Sequence, residues 1–508
     1  MKVLWLVTLQ CIGVLLALCC SFCQTQRHFI TGYYASWRVE EGGGAFAPPN
    51  LAYGQYDIII YAFLSVEADG SLSLINPQKD KVLLLGPLRE GVPAEYLKSA
   101  DLGNPALHQP GQRFADYAHR HRVRLSASVG GWVHSTHFPS VAADPARRTR
   151  FASECARIIE LYHLDGIDID WEYPGDPARQ GTPADRGNFT ILLRQVRDTL
   201  QALRSRLRRD LMLTIACGAA PKHLAAIDWP KVHQLVNAVN LMTYSFYGQW
   251  DEVSNHNAPL FPSANATQIG YSCAEAVQIL IRHGVPPVKI NLGVAFYGRT
   301  HRTEGAPSLH AKLSVQSDSS RSASRGATAS YSEIVQQINR GSFKYCWDDT
   351  AQVPYLIDTA QSLFISFDDE RSVSLKAHYA RLNGLRGVMI WDITSEYCKV
   401  DGQLRTPLTD AIRRVFSGKE ILPSVLSEPR ICVFPRVTYS GFLHFFVHSP
   451  EKGRTEISLS DARGKILHTV TFLGFGHTID MRLLPSGAYR IRMRFNSLPH
   501  EETKIVKK

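Results

Sequence analysis

The sequence predicts an α/β chain: a (β/α)8 TIM-type barrel with a small α+β insertion between its seventh and eighth strands, followed by a small all-β domain. Three observations predict it. Eight apolar, strand-like runs are separated by stretches of helical periodicity. Acidic and aromatic residues collect near the carboxyl ends of those runs. After residue 416 the long helical patterns stop and short alternating runs take over.

The eight runs are HFITGYYASW (28–37), YDIIIYAFLSV (56–66), VRLSASVGGW (123–132), DGIDIDWEY (165–173), LMLTIACGAA (211–220), AVNLMTYSFYG (238–248), KINLGVAFYG (289–298) and GLRGVMIWDI (384–393). Helical patterns such as RRTRFASECARIIELYHL and FTILLRQVRDTLQALRSRLRR lie between them. Strand and helix alternating in this way suggest parallel strands joined by crossover helices. Eight such units can close on themselves into a barrel.

The interval between the seventh and eighth runs is too long for one helix. Residues 299–365 hold a Ser-rich stretch, a helix candidate YSEIVQQINRG and strand-like KYCWDD and VPYLID. This reads as an α+β insertion on a βα loop, forming one wall of a cleft, because loops at that end of a barrel build the site. Residues 27–416 are thus assigned to the barrel and 417–428 to a linker. Residues 429–508 are the all-β domain, with turns at DARG (461–464) and LPSG (484–487).

Composition narrows the function class. The chain has 508 residues, 44% hydrophobic and 20% charged, as expected of a globular protein. Its net charge of +10 is spread out. The one cluster, Arg204 to Arg209, reads as a solvated helix end, so no nucleic-acid partner is expected. Residues 1–23 read as a secretory signal: Lys2 supplies the charge, an apolar core follows, and small residues precede Gln24. A secreted, extracellular protein with no membrane span after signal removal is expected, as a monomer. The six cysteines past the signal are widely spaced without a CxxC pair, so neither a zinc site nor any other metal or cofactor is expected. Export permits disulfides, while Cys217, in an apolar run, reads as a buried free thiol.

The fourth run carries the chemistry. In a strand, residues two apart share a face. Asp168, Asp170 and Glu172 therefore point one way, about 7 Å apart, and Ile167, Ile169 and Trp171 point the other. Asp165 has the wrong parity and reads as structural. Neighbouring acids cannot all ionise cheaply, so some pKa values must rise. Glu172, at the carboxyl end, reads as a general acid supported by two inward carboxylates.

The stretch LDGIDIDWEYPG resembles the DxxDxDxE signature of glycoside hydrolase family 18, the chitinase family. SVGG (128–131), MTYSFYG, AFYGR (295–299) and MIWDI (389–393) resemble the family's other strand ends. The resemblance covers residues 27–416 and implies a retaining, substrate-assisted hydrolysis of chitin or chitooligosaccharides, an exception to the two-carboxylate scheme. It assigns Glu172 as general acid and base, Asp170 as the group orienting the substrate's acetamide, Asp168 as its tuning partner, and Tyr244 as a donor to the acetamide oxygen. Trp391 would be the floor under the reacting sugar. Tyr33, Phe63, Tyr173 and Met242 would line the pocket beside Gly130 and Gly131. Trp132 would stack on the leaving-group side, with Tyr297 and Arg299 as polar contacts. The family pattern has Asp where Ser245 stands; serine is shorter and uncharged.

SLSDARGKILHTVTF, IDMRLLPSGAYRIRMRF and the terminal KIVKK resemble the carboxy-terminal sorting domain of the type IX secretion system, which implies a partner in that machinery. A carbohydrate-binding β-sandwich is the alternative for this segment. For the barrel the alternatives are a non-catalytic chitin-binding lectin, against which the retained Glu172 argues, and an enzyme cutting the chitobiose core of N-glycans.

Overall fold

The computed structural model describes residues 27–419, apart from 264–265, 267, 315–327, 341–342 and 401–402, together with the strands and some turns between 430 and 507. The proposed signal and most of the linker lie outside the described residues.

Eight parallel strands close a barrel: β1 (Phe29–Ala35), β2 (Ile58–Val66), β3 (Arg124–Gly130), β4 (Gly166–Asp170), β5 (Met212–Gly218), β6 (Ala238–Met242), β7 (Ile290–Ala295) and β8 (Gly387–Trp391). Each pairs with the next in sequence, and β1 pairs with both β2 and β8, so no edge remains. A short strand, Leu72–Leu74, adds antiparallel to β2. All eight predicted runs are barrel strands.

Parity sorts the side chains of β4 as the alternation predicts. Ile167, Ile169 and Trp171 face outward into the large apolar shell beneath the helices. The barrel interior holds a separate cluster that includes Tyr33, Ile60, Phe63, Met212, Met242 and Met389. Asp168 and Asp170 are buried within the barrel.

Local chemistry starts and stops the covering helices. In α1 (Pro145–Tyr162) the Asp144 carboxylate accepts from the Arg147 amide, proline occupies the first turn, and His163 ends the helix in the left-handed region at φ 58°. Phe151, Cys155, Ile158, Ile159 and Tyr162 form its buried stripe, the i, i+4, i+7, i+8 spacing of one helix face. Truncating one of these to alanine would cost about 2–5 kcal/mol. In α2 (Asp185–Leu207) the same spacing buries Phe189, Leu192, Leu193, Val196, Leu200 and Leu203. The arginine cluster at its end is exposed and paired: Arg204 with Asp210 at 2.7 Å, Arg206 with Glu160 at 2.6 Å. Asp165 takes the structural place its parity suggested. It accepts from the Leu125 amide at 2.8 Å and meets His119 at 2.7 Å, at the start of β4.

Between β7 and β8 the chain forms a five-stranded antiparallel sheet of strands Thr328–Ser330, Tyr297–Arg302, Leu363–Ser366, Val353–Asp358 and Lys344–Asp348, in that spatial order, with a helix at Tyr331–Asn339. The sheet starts at Tyr297, two residues before the predicted boundary, because AFYGR leaves β7 and continues directly into the first of these strands. The helix carries a capping box in which Ser330 and Glu333 satisfy each other's amides.

Among the described residues the carboxy-terminal segment contains a three-stranded and a five-stranded sheet. In the larger, Ile457, Leu459, Ile491, Met493 and Ile505 share a buried face. The DARG turn forms as expected, with the Asp461 carboxylate accepting from the Arg463 and Lys465 amides at 2.9 Å each. Cys155, Cys217 and Cys273 are free and buried, and Cys346 is free and half-buried. No helix of the described residues is long and apolar enough to cross a membrane.

Candidate active site

Asp168 sits at the bottom of the site and is fully wrapped. Its Oδ2 accepts from the Tyr33 hydroxyl and Ser128 Oγ, both at 2.8 Å. Its Oδ1 accepts from Thr214 Oγ1 at 2.5 Å and Asn240 Nδ2 at 3.2 Å. Burial pushes this carboxyl up, while the four donors pull it back down. They come from β1, β3, β5 and β6, so the barrel closure itself assembles the shell.

Asp170 lies above it with the opposite character. Its Oδ1 is buried and has no hydrogen-bond partner among the described residues. Burial, then the neighbouring Glu172, then Asp168 lift its pKa well above the carboxylate range.

Glu172 lies two residues past the end of β4 and is partly buried. Burial raises its pKa to about 7, against an opposing pull from Tyr173 and Arg179. Its amide donates to Ser135 Oγ at 2.9 Å, and that hydroxyl faces the carbonyls of Gly131 at 2.8 Å and Asp170 at 3.0 Å.

Aromatic rings form the walls. Trp391 lies 5.6 Å from Phe63 at 25° between planes and 5.6 Å from Tyr33. Trp37, 49% exposed, stacks on Phe63 at 6.1 Å. Trp132 is exposed on the short helix Gly131–His134, 6.3 Å from Tyr173. Non-proline cis peptide bonds lie inside β2 at Ala62–Phe63, just past β4 at Glu172–Tyr173 and at the end of β8 at Trp391–Asp392.

Several expected contacts take a different form. Tyr33 is 1% exposed and its hydroxyl is spent on Asp168, so it acts beneath the pocket rather than lining it. Gly130 and Gly131 are buried by backbone packing: a Cβ on Gly130 would meet the Asp170 carbonyl at 2.3 Å, and one on Gly131 the Phe63 ring at 2.7 Å. One face of Trp132 is covered by Arg179, whose guanidinium is 3.6 Å from the ring centre. Tyr244 points its hydroxyl toward Met389 Sδ at 3.6 Å, and Met242 is buried in the same interior cluster. Ser245 does not touch Tyr244 through its hydroxyl; it meets the Tyr297 hydroxyl at 2.5 Å and accepts from Arg299 at 2.8 Å.

The sequence reading missed Thr214, Asn240, Ser135, Arg179 and Trp37. Thr214 and Asn240 carry a usable signal, being polar residues on otherwise apolar barrel strands. Ser135 and Arg179 lie on loops and carry none.

This geometry now stands beside known proteins. Residues 30–396 match the description Glycosyl hydrolases family 18. The chain belongs to that family, a family of glycoside hydrolases. It is 36% identical over 284 residues to chitinase A1 of Niallia circulans, across 54% of this chain and 41% of that protein. It is 28% identical over 380 residues to chitinase 1 of Aphanocladium album, across 74% of this chain and 83% of that one. Among solved structures, the Group IV chitinase of Ostrinia furnacalis matches with a TM-score of 0.65 at 26% identity, over 77% of this chain and 100% of that one. This chain therefore spans under half the length of the first of these relatives.

Proposed function

We propose that this chain is a secreted chitinase that cuts β-1,4-linked N-acetylglucosamine chains internally by a retaining, substrate-assisted mechanism. The observation that carries the mechanism is the unpartnered Asp170 Oδ1 beside a Glu172 whose pKa is raised to about 7. A carboxylate nucleophile needs a free, ionised acid. Asp168 is enclosed by four donors, and burial beside Glu172 raises the Asp170 carboxyl well above the usual carboxylate range. This favours a nucleophile from the substrate, and an N-acetyl group two bonds from the anomeric carbon supplies one.

In this reading Glu172 gives its proton to the glycosidic oxygen as the C1–O bond breaks. The acetamide oxygen attacks C1 and closes an oxazolinium ring. Asp170 Oδ1 accepts from the acetamide N–H and orients it, and positive charge on the ring favours ionisation of Asp170. Water then attacks C1, returns a proton to Glu172, and reopens the acetamide. Trp391 and Phe63 give the apolar sugar face a stacking floor. The relatives' names support the substrate class. The test is Glu172→Gln on chitin oligomers. Turnover should drop about 10²–10⁴-fold with binding retained; near-normal turnover would reject the assignment.

Residues 1–23 as a signal and 429–508 as a type IX sorting domain belong to the same proposal. The LPSG-containing hairpin and basic terminus support the latter reading. Deleting 429–508 should leave hydrolysis of soluble oligomers intact in purified protein. A large loss confined to insoluble chitin would favour a binding module instead, because such a module raises local concentration.

A further inference from the structure

We infer that the cleft carries an anion-accepting subsite, built from Arg299, Ser245, Tyr297 and Trp250, that admits N-acetylated amino-sugar chains bearing a carboxylate substituent. This rests on the glycoside-hydrolase reading of the same cleft and adds a substrate class to it.

Arg299 donates one N–H to Ser245 Oγ at 2.8 Å, and its buried Nε has no partner among the described residues. Its guanidinium lies 4.8 Å from the Trp250 ring centre and 5.8 Å from that of Tyr297. Among the described residues no carboxylate pairs with it; its polar neighbour Ser245 is neutral, and so is the Tyr297 hydroxyl against which Ser245 rests. Asp251, next in sequence to Trp250, turns instead to the Gly248 amide at 2.7 Å. Gly248 also lets the indole lie against the backbone, since a Cβ there would meet the Trp250 ring at 2.4 Å. Trp250 itself is 58% exposed, so the edge of the subsite is open to solvent.

A partly buried cation without a counter-charge is costly unless something pairs it. Guanidinium presents a planar fork that matches a carboxylate. A second guanidinium stands at the cleft, where Arg179 lies over Trp132, donates to the Trp132 carbonyl and faces Glu172. Asp168, deepest in the barrel, spends both carboxylate oxygens on four neutral donors and pairs with neither guanidinium. A sugar bearing a carboxylate, for example on a 3-O-lactyl ether, meets complementary charge here. A de-acetylated, cationic glucosamine unit meets repulsion.

The test measures binding in the Glu172→Gln protein, so that hydrolysis does not interfere. The probes are a neutral N-acetylglucosamine pentamer and a pentamer of the same backbone carrying 3-O-lactyl groups on alternate sugars. At low salt the anionic pentamer should bind about tenfold tighter than the neutral one, and salt should erode the difference. Adding Ser245→Asp supplies an internal carboxylate to Arg299 and should abolish the preference. Arg299→Gln gives the same readout if the aspartate variant folds poorly. Equal or weaker binding of the anionic pentamer, or a preference untouched by both substitutions, overturns the inference. Failure of the wild-type protein to cleave the neutral pentamer would instead strike the hydrolase reading, leaving the binding ratio to decide the subsite.

Discussion

Ser135 Oγ receives the backbone N–H of Glu172 at 2.9 Å and faces the Asp170 carbonyl at 3.0 Å. One buried hydroxyl thus ties the proposed general acid to the strand end beneath it. Ser135→Ala leaves these groups unsatisfied, which typically costs about 1–3 kcal/mol. Expected is a fall in kcat of about tenfold with KM little changed, and partial rescue by Ser135→Thr. Steady-state kinetics on a soluble oligomer check it; an unchanged kcat would remove Ser135 from the positioning role.

Arg179 pulls the Glu172 pKa down while burial pushes it up. In the proposed mechanism Glu172 acts in its protonated form, so activity should be lost as pH rises through about 7. Arg179→Gln removes the cation, and the alkaline limb of kcat/KM should move to higher pH. Arg179→Lys should move it less. A limb that stays fixed, or moves down, would contradict the charge argument.

Gly130 has φ 110° and no room for a side chain. Gly130→Ala pays backbone strain and a clash with the Asp170 carbonyl together. Stability should drop by about 1–3 kcal/mol, and activity should fall too because the carbonyl belongs to the acidic strand. Denaturant unfolding with a parallel assay reads both; a fully stable variant would show that the loop can give.

His378 is buried in the helix Glu370–Leu382 with neither ring nitrogen bonded. Burial pushes its pKa from 6.5 down to about 4. Between these values the unfolded chain binds a proton that the folded chain does not, so stability falls as pH drops through this window and levels off below it. His378→Leu removes this loss. Its stability advantage over wild type should be larger at pH 5 than at pH 8, by on the order of 2 kcal/mol. Thermal melts at both values check it, and an advantage independent of pH would contradict the assignment.

Much of the barrel was legible in the sequence, because burial on both faces writes each strand as an apolar run and each helix as a 3.6-residue stripe. The alternation of Ile167, Ile169 and Trp171 with Asp168, Asp170 and Glu172 determined which side chains enter the barrel, since strand parity is local geometry. What tertiary structure decided was the state of those acids. Asp168 owes its four partners to strands brought together only by closure, and the Asp170 carboxyl is raised because the fold buries it beside Glu172, with no donor to its Oδ1 among the described residues. Tyr33 looked like a pocket wall until the fold placed its hydroxyl on Asp168, 135 residues away. Arg179, Ser135 and the pairing of Ser245 with Arg299 lie on loops or the inserted sheet, where no periodicity constrains the side chain. Spacing along the chain fixes which face a residue takes within its own element; partners drawn from distant elements, and so charge and protonation, follow only from how those elements pack.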